Sequence, residues 1–152
     1  MSVSLDYQLI GSGWAQFDLT INQQHISLYA SYLYDALADV LQATLSLLDG
    51  QQQAKAYVRD EPNEYRWCFS VNGQQLTITV WQFEQCWSNK ADEQGSLLFQ
   101  ATCRLHTFAG ALLAACQKLS TVYSPEAYRK IWKNHDLPVQ LIQQLQHHAY
   151  RQ

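Results

Sequence analysis

Two groups of acidic residues have the types and spacing that chemistry needs. Asp35 and Asp39 stand four positions apart, so a helix would set both carboxylates on one face. Such a pair can do acid–base work, hold a cation, or form part of an acidic docking face. Asp60, Glu61 and Glu64 crowd together between Arg59 and Arg66. No nucleophile or histidine accompanies them in sequence, so they read as turn residues with local ion pairs or as a binding rim. Arg66 and Trp81 form a third candidate, a platform for a ligand or an anchor for a partner, because Trp, Tyr and Arg dominate interface hot spots. Other constellations are incomplete. Ser12 lies in Gly11-Ser12-Gly13, which lacks both the nucleophile elbow and the lysine of a phosphate loop. The histidines form no i, i+4 pair and no Cys–His set, and the four cysteines match no zinc or redox spacing. The cysteines therefore read as reduced thiols, with no metal or cofactor implied.

The elements that position these residues are written in the hydrophobic pattern. Residues 5–10, 14–21 and 25–29 alternate as strands. From Ser31 the period changes: Leu33, Leu37, Val40, Leu41, Leu45 and Leu48 recur at helical spacing, with Ser31 as expected N-cap and Gly50 as C′ residue. Asp35 and Asp39 fall on the opposite, solvated stripe. A strand over 55–59 leads through Asp60-Glu61-Pro62-Asn63 into a hairpin marked by Asn72-Gly73. With Asn72 and Gly73 as loop residues, Phe69 faces Leu76 and Trp67 faces Ile78. One face is then Tyr65, Trp67, Phe69, Val71, Leu76, Ile78 and Val80. The other carries Arg66, Cys68, Ser70, Thr77, Thr79 and Trp81 and reads as partly wet. A polar loop over 87–95, a strand over 97–105, and three helices complete the chain. Thr107 is the expected cap of the first of these helices and Ser124-Pro125-Glu126 opens the second. Asn134-His135-Asp136 breaks it before a last helix over 138–148. The order predicts a single α+β domain over 1–152, a largely antiparallel meander of about six strands with helices packed on one face.

Net charge is −3, which offers no electrostatic footprint for nucleic acid. It is unevenly spread: residues 1–54 hold five aspartates and no Lys or Arg. No basic leader opens the chain and no apolar run approaches membrane-spanning length, so the expectation is a cytoplasmic protein with no membrane association.

Several motifs occur in a recognisable order: Ser12-Gly13-Trp14-Ala15, Ser31-Tyr32-Leu33 into Asp35-Ala36-Leu37, Asp60-Glu61-Pro62 with Glu64-Tyr65-Arg66-Trp67, and Tyr123 through Tyr128 and Trp132 to Pro138. Together they resemble a group of small, largely uncharacterised bacterial proteins, and small acidic proteins of this type look like immunity proteins of toxin systems. The resemblance implies a non-enzymatic binding protein with a protein partner, a toxin or other, and a homo-oligomer stays open. In that reading Asp35, Asp39, Asp60, Glu61 and Glu64 supply electrostatic steering, with Arg66 or Trp81 as anchor. The alternative is a small-molecule or peptide-binding domain, with a pocket of Arg66, Thr79 and Trp81 between the mixed sheet face and the C-terminal helices. An enzyme ranks last.

Overall fold

A computed structural model describes residues 2–133 and 135–149. The chain opens as a three-stranded antiparallel meander: β1 (Val3–Gly11), β2 (Trp14–Ile21) and β3 (Gln24–Ser31). Strict alternation buries Leu5, Tyr7, Leu9, Ala15, Phe17, Leu19, Ile21, Ile26, Leu28 and Ala30 on one face. The other face is open to solvent. β3 extends two residues beyond the expected strand end because Ser31 pairs with Trp14. Ser31 therefore cannot cap the helix; its hydroxyl instead accepts from the Leu33 N–H at 3.3 Å. The helix α1 (Ala36–Leu48) starts later and takes Asp35 as its N-cap, whose Oδ1 accepts from the Ala38 N–H at 3.4 Å. At its other end Gly50 donates to the Leu47 carbonyl and Gln51 to that of Ser46, the two bonds of a Schellman motif.

The second sheet is a four-stranded antiparallel meander of β4 (Gln53–Arg59), β5 (Glu64–Asn72), β6 (Gln75–Phe83) and β7 (Ser96–Arg104). The hairpin forms where expected, but its register is shifted. Asn72 pairs with Gln75, Val71 with Leu76, Phe69 with Ile78 and Trp67 with Val80, so the loop residues are Gly73 and Gln74. Gly73 has φ +65°, and a turn with glycine at its first central position places the left-handed residue there. Because the slip is two residues, every side chain keeps its face. Tyr65, Trp67, Phe69, Leu76, Ile78 and Val80 all enter the core.

No loop separates β7 from α2 (Leu105–Val122). Thr107 lies inside the first turn instead of capping it, and the Leu105 N–H is satisfied by the Gln74 carbonyl of the neighbouring hairpin at 2.9 Å. The helix α3 (Pro125–Trp132) has the expected cap: the Ser124 hydroxyl accepts from the Ala127 N–H at 3.1 Å. His135 and Asp136 fall in the segment before α4 (Val139–Ala149); Asn134 lies outside the described residues. The α+β class and antiparallel pairing are as the pattern predicts, with seven strands in two meanders among the described residues. One hydrophobic core joins them. Ring centroids run from Tyr7 to Phe17 (4.7 Å), Phe17 to Trp67 (5.5 Å), Trp67 to Phe69 (6.2 Å) and Phe69 to Phe108 (5.9 Å), crossing from the first sheet through the second to α2. The Tyr7 and Tyr128 hydroxyls, buried and 3.3 Å apart, tie β1 to α3.

Candidate functional site

The residues around Glu64 assemble into an ionic cluster at the end of the second sheet. Arg59 and Glu64 are cross-strand partners on β4 and β5, and Arg66 follows on the same face of β5. The Glu64 carboxylate, 1% exposed, accepts from Arg59 Nε at 2.8 Å, Arg66 Nε at 2.9 Å and the Trp87 N–H at 3.0 Å. Arg66 donates onward to the carbonyls of Ser88 and Lys90, both at 2.7 Å, and to Asp92 at 3.0 Å. Its guanidinium lies 4.0 Å above the Phe83 ring. Lys55 closes the cluster on Asp92 at 2.6 Å. Burial alone would raise the Glu64 carboxyl, but the hydrogen bonds from Arg66, Trp87 and Arg59 outweigh it and hold it below its ordinary value. Asp92 is held low in the same way by Lys55 and Arg66 against burial.

Arg59 completes the arrangement. Its guanidinium carbon lies 4.3 Å from the centroids of the Tyr34 and Trp87 rings and 4.9 Å from that of Tyr57. Nη1 is buried with no hydrogen-bond partner among the described residues, so the aromatic faces supply its electrostatic stabilisation. The chemical result is a loop with a fixed shape. Residues 87–92 are held by Glu64 and Arg66 through two backbone carbonyls, one backbone amide and one carboxylate, and Trp87 sits at the surface, 60% exposed with φ +55°.

These positions change the roles that the sequence pattern suggests. Glu64 and Arg66 are interior and paired with one another. Arg66 does pair in register with Trp81, but its guanidinium is taken up by the 88–92 segment and the two form no shared platform. Asp60 is half-buried and accepts from the Asn63 N–H at 3.2 Å and the Tyr65 hydroxyl at 2.9 Å. Burial, then Asp60, pushes that phenol up to about 12. Glu61 is exposed in the turn. The three acids therefore face three environments. Asp35 and Asp39 are not a solvated stripe either: Asp35 is the cap of α1, and Asp39 accepts from the Tyr57 N–H at 2.7 Å, fastening α1 to β4. Burial raises both carboxyls above their ordinary values. Asp39 also feels Tyr34 and Arg59, which brings it to the far side of the cluster. Lys55, Trp87 and Asp92, which complete the site, gave no local sequence signal because they lie far along the chain from their partners, Trp87 from Glu64, Asp92 from Arg66 and Lys55 from Asp92.

Trp81 is half-buried on the outer face of the second sheet. There a groove of about 500 Å³ is lined by Lys55, Cys68, Ser70, Thr79, Trp81 and Asp92, among others. It holds Thr79 and Trp81 as expected, without Arg66, and its far wall is the 92–93 turn instead of the C-terminal helices. Among the described residues no three His, Cys, Asp or Glu side chains gather as metal ligands. No helix of the described residues is long and apolar enough to cross a membrane. No protein-family model matches the chain. No curated protein matches it. The fold itself is similar to a solved one: a chain of the CdiA-CT/CdiI toxin and immunity complex from Enterobacter cloacae matches with a TM-score of 0.51 at 10% identity, over 76% of this chain and 99% of that chain.

Proposed function

We propose that this chain is a non-enzymatic, protein-binding module of immunity type, which neutralises a toxin in the bacterial cytoplasm by occluding a surface the toxin needs. The observation that supports the reading is the fold shared with a chain of a toxin and immunity complex across nearly all of that chain's length. The pinned loop at the end of the second sheet fits a recognition role, since a surface ordered before contact loses little entropy on binding. The test is co-expression with toxin domains encoded beside this chain, read as growth, together with size-exclusion chromatography of the purified pair. Restored growth and a stoichiometric complex are expected; growth restored against none of them, with no complex, overturns the reading. The groove beside Trp81 supports a second reading, a small-molecule or peptide site. That reading requires a ligand that raises the melting temperature of the wild-type protein and not of Trp81→Ala.

A further inference from the structure

We infer that the solvent face of the β1–β2–β3 sheet is a docking surface for a protein with a basic contact face, an inference that rests on the binding role proposed above. The face is laid out in rows by the strand register. Tyr29 pairs with Gln16 and Gln16 with Gln8; Trp14 pairs with Ser31 on one side and Gly11 on the other. Trp14 and Tyr29 are therefore diagonal neighbours, within reach of aromatic side chains. An alternating strand with one buried face should place polar residues outward. Ile10, Trp14 and Tyr29 instead stand 45%, 41% and 48% exposed on that side, an apolar centre rimmed by Gln8 and Gln16. Trp and Tyr in such a setting are the residues that carry interface energy.

The next row supplies the sign of the partner. Asp6 and Asp18 are directly opposite one another on β1 and β2. Like charges in this position destabilise a sheet. Asp18 is held by the Ser27 hydroxyl at 2.6 Å and by Gln16 at 3.2 Å, with His25 at 3.6 Å; Asp6 is held by Gln8 at 2.8 Å and by Lys118 at 3.4 Å. The strands themselves contribute no Lys or Arg, and none occurs before Lys55. A second copy of this chain would bring the same acids face to face, and nucleic acid would be repelled. A basic protein surface relieves the Asp6–Asp18 repulsion and covers the aromatic centre at once.

The test is site-specific photo-crosslinking in the native cells, with benzoylphenylalanine replacing Tyr29 in one variant and Leu98, on the second sheet, in another. A single adduct from position 29 with a protein of basic sequence is expected. In an Asp6→Asn/Asp18→Asn background its yield should fall on the order of tenfold. The same double substitution should raise the melting temperature of the free protein, a change opposite to what damage to the fold would give. Adducts from position 98 but none from position 29 overturn the face while the binding role stands. An adduct with a second copy, an acidic partner, or a yield indifferent to Asp6 and Asp18 overturns the inference as well. No adduct at either position overturns the face; the binding role falls with it only if the co-expression test above also gives no restored growth and no complex.

Discussion

Glu64 sits between Arg59 and Arg66 with almost no contact with water, so its charge is the keystone of the ionic cluster. Glu64→Gln takes the paired carboxylate from buried Arg59 and leaves Arg66 with Asp92 alone, and should cost about 3–5 kcal/mol at pH 7, measured by urea unfolding. The Trp87 amide, which donates to Glu64, should also exchange faster. The pH dependence has a definite sign. The Glu64 carboxyl titrates below its ordinary 4.5 in the fold, so its stabilisation is complete above that value and is lost as pH falls through the folded-state value. The deficit of Glu64→Gln should therefore shrink in acid. Asp39 behaves oppositely. Its carboxyl is raised above 3.8 by burial, so ionisation opposes folding at neutral pH and the opposition is relieved as pH falls. Asp39→Asn keeps an oxygen for the Tyr57 N–H and should be more stable than wild type at pH 7, the gain fading in acid. The acidic residues themselves were plain in the sequence, but their burial was not. Asp35 and Asp39 lie opposite the leucine stripe of α1 and look solvated until β4 packs beside Asp39 and the end of α3, with Trp132 and His135, comes up to Asp35.

Helix and strand faces were legible because hydrophobic period survives errors of position. The hairpin shows the limit. Asn72-Gly73 marked the turn, yet the loop is Gly73-Gln74, since one residue with φ > 0 suffices for this turn and glycine takes it. Gly73→Ala should cost about 1 kcal/mol in thermal or chemical unfolding. A Cβ there meets nothing within 4 Å, so the cost is conformational alone. Gly13→Ala should cost more, because φ is +79° and the new Cβ would lie 2.7 Å from Tyr32 Cδ1. Element ends were less legible where tertiary groups replace local caps. Thr107 looked like an N-cap, but a carbonyl from the hairpin at Gln74 satisfies the start of α2 and lets it begin directly from β7. Ser124 was read correctly because its cap is closed within its own turn, by Ala127.

Trp67 is fully buried where the two sheets meet, in edge contact with Phe17 of the first and beside Phe69 of the second. Trp67→Ala should cost about 3–5 kcal/mol. If the chain is one folding unit, as its length suggests, amides of β2 and β6 should lose protection together in denaturant; separate transitions would mean that each sheet stands alone. The partition into two sheets was invisible in the sequence, because an alternating strand shows which face is buried but not which sheet lies across from it. For the same reason, the contacts between the 86–92 segment and the Glu64 cluster could not be foreseen. Both sheets are plain meanders in which every strand pairs with its neighbour along the chain. No early pairing has to wait for a distant partner, so the entropy lost in closing each loop is small. On the ribosome, β1 to β3 can zip as soon as residue 31 has emerged, and the second sheet can form hairpin by hairpin behind them. The contact that cannot form until both sheets exist is Phe17 against Trp67, where the first meander meets the second.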